Sequence, residues 1–347
     1  MSNRFLTLVN LISLALGAIL LVVLVVQLDA DEVAANLLQV GWYFALSFGL
    51  YVLNMGLTAA AWRLVVDPAE SQASFRQFFA AFWSGSAVNQ LAPTLGEVVK
   101  GANLRGLVGG EELTASIITM GFLNKAVKGG FMILGSGLCL LVLALPREAM
   151  WVVFGAALAL YLPVFVVYLL LRWGLASRVI ALIARLPLVR FRDPDKLRAR
   201  AQSVDRRIRG FRRSRPLRFW SAVGLLIGVR LVFVLDAFVL LTPLLPEQDS
   251  GFVLLLAVLA QSAVMAIALV ATFIPGQIGV SEGGLALLFE LLGLDPLTGF
   301  AMRFARRLRK MVGIGIGLLL GMRMGTLRRR RARAAAETAA RDSAGGA

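Results

Sequence analysis

The sequence predicts an all-α, polytopic membrane helix bundle of about seven to eight membrane segments. Three observations carry this. The composition is 59% hydrophobic with a mean hydropathy of +0.79. Several continuous apolar windows reach the roughly 20 residues that a helix rising about 1.5 Å per residue needs to cross a core about 30 Å thick. The windows are continuous rather than alternating, which argues against a β-barrel.

The first apolar run, 5–27, follows Arg4 and is longer than a signal-peptide core, and no small-x-small cleavage site follows it. It reads as a first spanning helix. An acidic connector, "DADE" at 29–32, separates it from a second span at 41–65. Residues 75–106 begin apolar and are then interrupted by Asn89, Pro93 and Gly96, too short for a full crossing. Spans follow at 113–145, 149–171, 219–245 and 252–274. A short apolar helix at 283–294 and a last helix at 297–325 complete the set. The expected organisation is one transmembrane domain, 1–325, with halves at about 1–171 and 216–325. A basic loop, 172–215, joins them, and a basic tail, 326–347, is expected to be disordered.

The net charge is +16, and it is concentrated. Residues 172–218 hold 15 Lys/Arg against 3 Asp/Glu, and residues 323–347 hold 7 against 2. Because these clusters flank membrane spans, anionic lipid headgroups and a cytoplasmic location explain them better than nucleic acid. The same bias places the basic loop and both termini on the cytoplasmic side of the plasma membrane, provided that segment 75–106 enters and leaves on the cytoplasmic face. There is one cysteine, Cys139, and no histidine. An intrachain disulfide, Cys- or His-based metal ligation and a Ser-His-Asp triad are excluded. No cofactor is implied.

The two broken segments resemble one another. The first reads Pro93-Thr-Leu-Gly96-Glu97, and the second reads Pro275-Gly276-Gln-Ile-Gly279-Val-Ser-Glu282. Backbone groups freed by Pro and Gly at membrane depth are tolerated beside protein or a water-filled cavity. Paired interruptions in two halves of a chain point to a transporter-type site. Ordinary interhelical turns, with each glutamate favouring the positive end of a following helix, are the plainer alternative.

At these residues the sequence resembles the lysylphosphatidylglycerol synthase/flippase-like transmembrane family. This is the region preceding the aminoacyl-transfer domain in multiple-peptide-resistance proteins, and it also occurs alone. Its first motif is matched by Asn89, Pro93, Gly96, Glu97 and Lys100. Its second is matched more closely by Pro275, Gly276, Gly279, Glu282 and Gly283. "RFARRLRK" supplies the family's last-helix arginine through Arg303, Arg306 and Arg307. Where the family often has an acidic-Arg-x-x-Asp pattern, this chain has Asn124, Lys125 and Lys128. With 347 residues there is no room for a soluble transferase domain, so the resemblance implies the lipid-handling half without the enzyme.

At about 100° per residue, Arg303, Arg306, Arg307 and Lys310 share one face of the last helix, and Arg309 falls outside it. Charges at bilayer depth are costly and usually face a cavity or a partner. Arginine grips phosphate with two parallel hydrogen bonds. Interfacial snorkelling is the competing explanation. Lys125 and Lys128 lie too deep to snorkel and are expected to face inward, toward Glu97 or Glu282. Asp236 in the fifth span is expected either to pair with one of those lysines or to take part in transport. Gly313 and Gly317 have the small-xxx-small spacing of close helix packing. The expected function is translocation of an anionic or isoprenoid-type lipid. The rivals are an intramembrane headgroup-modifying enzyme with Glu97 or Glu282 as base, and an accessory subunit of a lipid synthase.

Overall fold

A computed structural model describes residues 38–91, 95–142, 213–270 and 279–345, with the single residues 35, 155, 210 and 211 besides. The predicted spans at 5–27 and 149–171, most of the basic loop, and Pro93, Pro275 and Gly276 lie outside the described residues. The described elements are helices: α1 (Tyr43–Val65), α2 (Phe75–Leu91), α3 (Leu95–Leu104), α4 (Gly110–Val142), α5 (Pro216–Leu241), α6 (Ser250–Val270), α7 (Val280–Leu291) and α8 (Pro296–Gly345). A short 3-10 turn, Pro68–Glu70, follows α1. Four of them are long and apolar enough to cross a membrane: Tyr43–Val65, Gly110–Gly135, Pro216–Leu241 and Ser250–Ala268.

Two large apolar cores join the described helices. One joins Trp62 of α1, Phe78 of α2, Leu104 of α3, Met120 of α4 and Leu226 of α5. The other joins Leu240 of α5, Leu256 and Leu259 of α6, Phe289 of α7 and Met302 of α8. Large apolar side chains such as Leu217, Trp220, Leu231 and Leu319 remain exposed, as a bundle solvated by lipid tails allows.

Segment 75–106 is a helical hairpin. Asn103 Nδ2 donates to Ser84 Oγ at 2.7 Å, and a side chain at Gly96 would strike the Cβ of Asn89 at 2.5 Å. Position 84 thus faces 103 and 89 faces 96, so α2 and α3 are antiparallel. Gly85 and Gly96 permit the approach, since a Cβ on Gly85 would lie 2.6 Å from the Gly96 carbonyl oxygen. The base of the hairpin is tied: Gln72 N donates to Leu107 O at 2.8 Å and Gly109 N to Glu70 O at 3.0 Å. The chain therefore enters and leaves the hairpin at one end of the bundle. On either side of the second interrupted segment α6 and α7 pack together, with Ile267 where a side chain on Gly284 would stand.

That same end is pinned by Asp67. Its Oδ2 meets Arg215 Nη2 at 2.8 Å and its Oδ1 accepts from Ala69 N at 2.9 Å, linking the end of α1 to the start of α5. The hydrogen bond from Arg215, then that from Ala69, hold the Asp67 carboxyl below its usual range. A depressed carboxylate contributes stability above its unfolded pKa of about 3.9 and loses it as pH falls through the folded value. Thermal melts of Asp67→Asn and the parent should therefore differ at pH 7 and converge below about pH 4. The pair is partly exposed, so the difference should stay within about 1 kcal/mol.

The tail departs from expectation. Residues 326–345 continue α8 rather than forming a disordered segment. Runs such as "RRRRARAAAETAAR" are rich in strong helix formers, and extending an existing helix avoids the nucleation cost.

Gly313 and Gly317 do serve close packing. A Cβ on Gly313 would lie 2.5 Å from the Tyr51 ring, and one on Gly317 would lie 2.6 Å from Ala87 Cβ. Trp83 Nε1 donates to Gly313 O at 2.8 Å across the same seam. Gly315, two residues from each, has nothing within 4 Å of its Cβ position. Gly317→Ala is expected to cost about 1–3 kcal/mol through overpacking. Gly315→Ala should be neutral or gain up to about 1 kcal/mol from helix propensity. Thermal unfolding in detergent compares the two.

Candidate functional site

The site is built where α7 and α8 pack antiparallel. Gly279 caps the start of α7 at φ 76°, a left-handed conformation that glycine adopts without strain. Gly299 on α8 lets the helices close, since a Cβ there would lie 2.7 Å from Leu285 O. This brings Glu282, in the first turn of α7, against Arg307. Glu282 Oε1 meets Arg307 Nη2 at 2.6 Å, and Ser281 Oγ donates to Glu282 Oε2 at 3.0 Å. Glu282 is wholly inaccessible. Burying a carboxylate is tolerated because a cation and a hydroxyl meet it.

Arg303 and Lys310 lie on the same face as Arg307, one turn to either side. Both act electrostatically on Glu282. Neither has a hydrogen-bonded or ion-paired partner among the described residues. Among the described residues, Glu282 is the carboxylate that meets this three-cation face.

Arg306 belongs elsewhere. Its Nε meets Asp236 Oδ2 at 2.7 Å, its Nη1 donates to Gln261 Oε1 at 2.9 Å, and its Nη2 donates to Phe233 O at 2.8 Å. Arg309, which helical-wheel geometry sets apart, shares the task. It pairs with Asp236 Oδ1 and donates to Ser47 Oγ at 2.6 Å and Ser47 O at 3.0 Å. Asp236 therefore pairs with Arg306 and Arg309, not with Lys125 or Lys128. The four-cation face of the sequence reading divides in two. Arg303, Arg307 and Lys310 attend Glu282, while Arg306 and Arg309 clamp Asp236 and tie α8 to α1, α5 and α6. Ser47, Gln261 and Arg309 carry no motif. Their one signal is the i, i+3 spacing of Arg306 and Arg309 beside a deep, lone Asp236.

The first motif is arranged differently. Glu97 pairs with Lys100 at 2.7 Å within α3, and its side chain is 51% exposed. The Lys100 ammonium also lies 4.7 Å from the Phe82 ring centre. Of the two motif glutamates, then, only Glu282 is buried. The difference arises because α3 offers Glu97 its own cation at i+3, while Glu282 finds one on another helix. Asn89 is exposed on α2 beside Gly96, which is buried in the hairpin. Lys125 is exposed and Lys128 half-buried, and neither forms an ion pair with Glu97 or Glu282. Among the described residues no group of three His, Cys, Asp or Glu could hold a metal ion.

Apolar helices of spanning length, together with buried charge clusters between them, define an integral membrane protein with a charged interior. Residues 10–317 match the family described as the lysylphosphatidylglycerol synthase TM region, and the chain belongs to that family. Comparison with curated proteins gave no match, and comparison with solved structures gave none.

Proposed function

We propose that this protein binds the anionic headgroup of a membrane lipid and carries it across the cytoplasmic membrane. The observation that carries this reading is that Arg303 and Lys310, neither with a hydrogen-bonded or ion-paired partner among the described residues, stand on the face of α8 where Arg307 meets Glu282. Uncompensated cations in a low-dielectric interior attract an anion, and a phosphodiester suits the guanidinium fork. The two interrupted hairpins, α2–α3 and α6–α7, would line the path as halves of a pseudo-repeat. Glu282 would hold Arg307 in place when no lipid is bound and give it up when one is. The termini would lie in the cytoplasm, and a lipid synthase would supply the cargo.

The test is transport in proteoliposomes, read by chemical quenching of fluorescent phosphatidylglycerol in the outer leaflet. Protein with the native sequence should expose more of the labelled lipid than empty vesicles do. Arg303→Gln and Lys310→Gln should each slow it, by about tenfold for loss of one charged hydrogen bond. Absence of transport by well-incorporated native protein, or unchanged rates in both variants, would overturn the reading.

A further inference from the structure

The end of the bundle at which the basic loop meets α5 carries a cavity that no motif marks. α1 and α5 pack antiparallel along their length. Ser47 Oγ donates to Asp236 Oδ1 at 2.5 Å, Asn54 Nδ2 donates to the Val229 carbonyl at 3.3 Å, and Asp67 pairs with Arg215 at 2.8 Å. Positions rise along α1 as they fall along α5. Arg63, in the last turn of α1, and Arg218, in the first turn of α5, therefore stand at one level. Both line a cavity of about 330 Å³. Ser71, just past the 3-10 turn, lines it too, and Leu64, Pro68 and Phe75 give it apolar walls. Arg63, Pro68 and Phe75 are exposed and Arg218 is half-buried, so the cavity opens outward.

The lining is cationic. No carboxylate among the described residues belongs to it. Asp67, next to Pro68 in sequence, gives Oδ2 to Arg215 and Oδ1 to the Ala69 amide. Neither Arg63 nor Arg218 has a hydrogen bond or ion pair among the described residues. Ser71 Oγ accepts from the Ala73 amide at 3.3 Å, which leaves its hydroxyl hydrogen to donate. Two guanidiniums and a hydroxyl complement an anion with several oxygens, and a phosphate is one. The volume falls at the low end of the roughly 300–1,000 Å³ of small-molecule sites, which suits a phosphate with a short polar headgroup. The surroundings name the carrier. α1 and α5 are both of spanning length, so their ends lie at the depth of lipid headgroups. Leu217 and Trp220, which flank Arg218 in sequence, are exposed, as interfacial side chains are. A connector rich in Lys and Arg marks a cytoplasmic face, whose leaflet carries anionic lipid.

We propose that Arg63, Ser71 and Arg218 hold the phosphate of an anionic phospholipid from the adjoining leaflet, as a resident lipid that bridges α1 and α5. It adds a second tie to the one that Asp67 and Arg215 make between the same two helix ends. It is not cargo, because this cavity lies at the end of two spans and shares no residue with the Glu282 face of α8. The site does not rest on the transport reading.

The test is photo-crosslinking of the purified full chain in phosphatidylcholine vesicles that hold phosphatidylglycerol with a diazirine on its headgroup, mapped by peptide mass spectrometry. Label should fall on residues 60–75 and 216–220. Unlabelled phosphatidylglycerol should compete it away, and added phosphatidylcholine should not. Arg63→Gln with Arg218→Gln should lower this label by about tenfold or more. The melting temperature of that double variant without anionic lipid should match the native one, since neither arginine has a partner to lose. Arg63→Lys with Arg218→Lys keeps the charge and should keep more of the label than the glutamine pair. Label absent from these residues, label that phosphatidylcholine competes equally well, or equal label in native and glutamine proteins overturns the site. Equal loss in the lysine and glutamine variants overturns the charge-based recognition. A melting temperature of the native protein that rises saturably with inorganic phosphate, and not with phosphatidylglycerol, overturns the lipid as occupant. Label here in a protein that moves no lipid ends the transport reading and leaves the site standing; transport without label here does the reverse.

Discussion

Asp236→Asn is expected to remove most folded protein from a detergent extract, as read by size-exclusion profile and melting temperature. Asp236 is 2% exposed and neutralises two arginines that are each 4% exposed. Losing it leaves Arg306 and Arg309 side by side with hydrogen bonds to Gln261, Phe233 and Ser47 but no counter-charge among the described residues. Breaking a buried pair from one side costs about 3–5 kcal/mol, a large part of a typical folding free energy. Ser47→Ala removes a hydroxyl that Arg309 and Asp236 share and should cost only about 1 kcal/mol. The cause can be separated from the effect. Replacing Asp236, Arg306 and Arg309 together by leucine and methionines leaves no orphan charge, so folding should return. A triple variant as unstable as Asp236→Asn would show that packing around these residues, not charge, is what the cluster supplies.

Glu282→Gln is expected to have the largest effect on activity. It keeps the shape of the side chain but removes the carboxylate that meets Arg307 and acts on Arg303 and Lys310. An anionic lipid should then bind more tightly and leave more slowly, so turnover in proteoliposomes should fall by about tenfold or more while apparent affinity rises. The exchange of Glu282→Arg with Arg307→Glu decides what the pair is for. It restores the ion pair and should recover the melting temperature. Recovery of stability without transport would mean that the glutamate is needed where it stands, on the first turn of α7. Recovery of both would mean that the pair is a brace.

Much of the bundle was legible because its signals are local. Apolar length marks α1, α4, α5 and α6, and the interruptions at Gly96 and Gly279 mark the hairpins. Glu282 and Arg307 were legible as a charged residue beside a turn and a cation in an apolar helix. The clamp on Asp236 was not, because it joins residues 73 positions apart. A wheel of one helix cannot say which cations its neighbours will claim. It grouped Arg306 with Arg303 and left Arg309 out, whereas the acid on α5 draws Arg306 and Arg309 to itself. The exposure of Glu97 was hidden for the opposite reason. Its motif matches that of Glu282, and the distinction lies in Lys100, which serves as a partner on its own helix. The helical tail is hidden from composition alone because it extends the ordered helix that precedes it.

The tied base of the α2–α3 hairpin has a mechanical consequence. A hairpin anchored at Gln72–Leu107 and Glu70–Gly109 is a cantilever, fixed at one end of the bundle. Its shaft bears on α8 through Trp83, Ala87 and the glycines at 313 and 317, where there is no slack. Those glycines begin one turn past Arg309. Axial travel of the arginine-bearing helix must therefore deflect the hairpin, and holding the hairpin still would lock that helix in place.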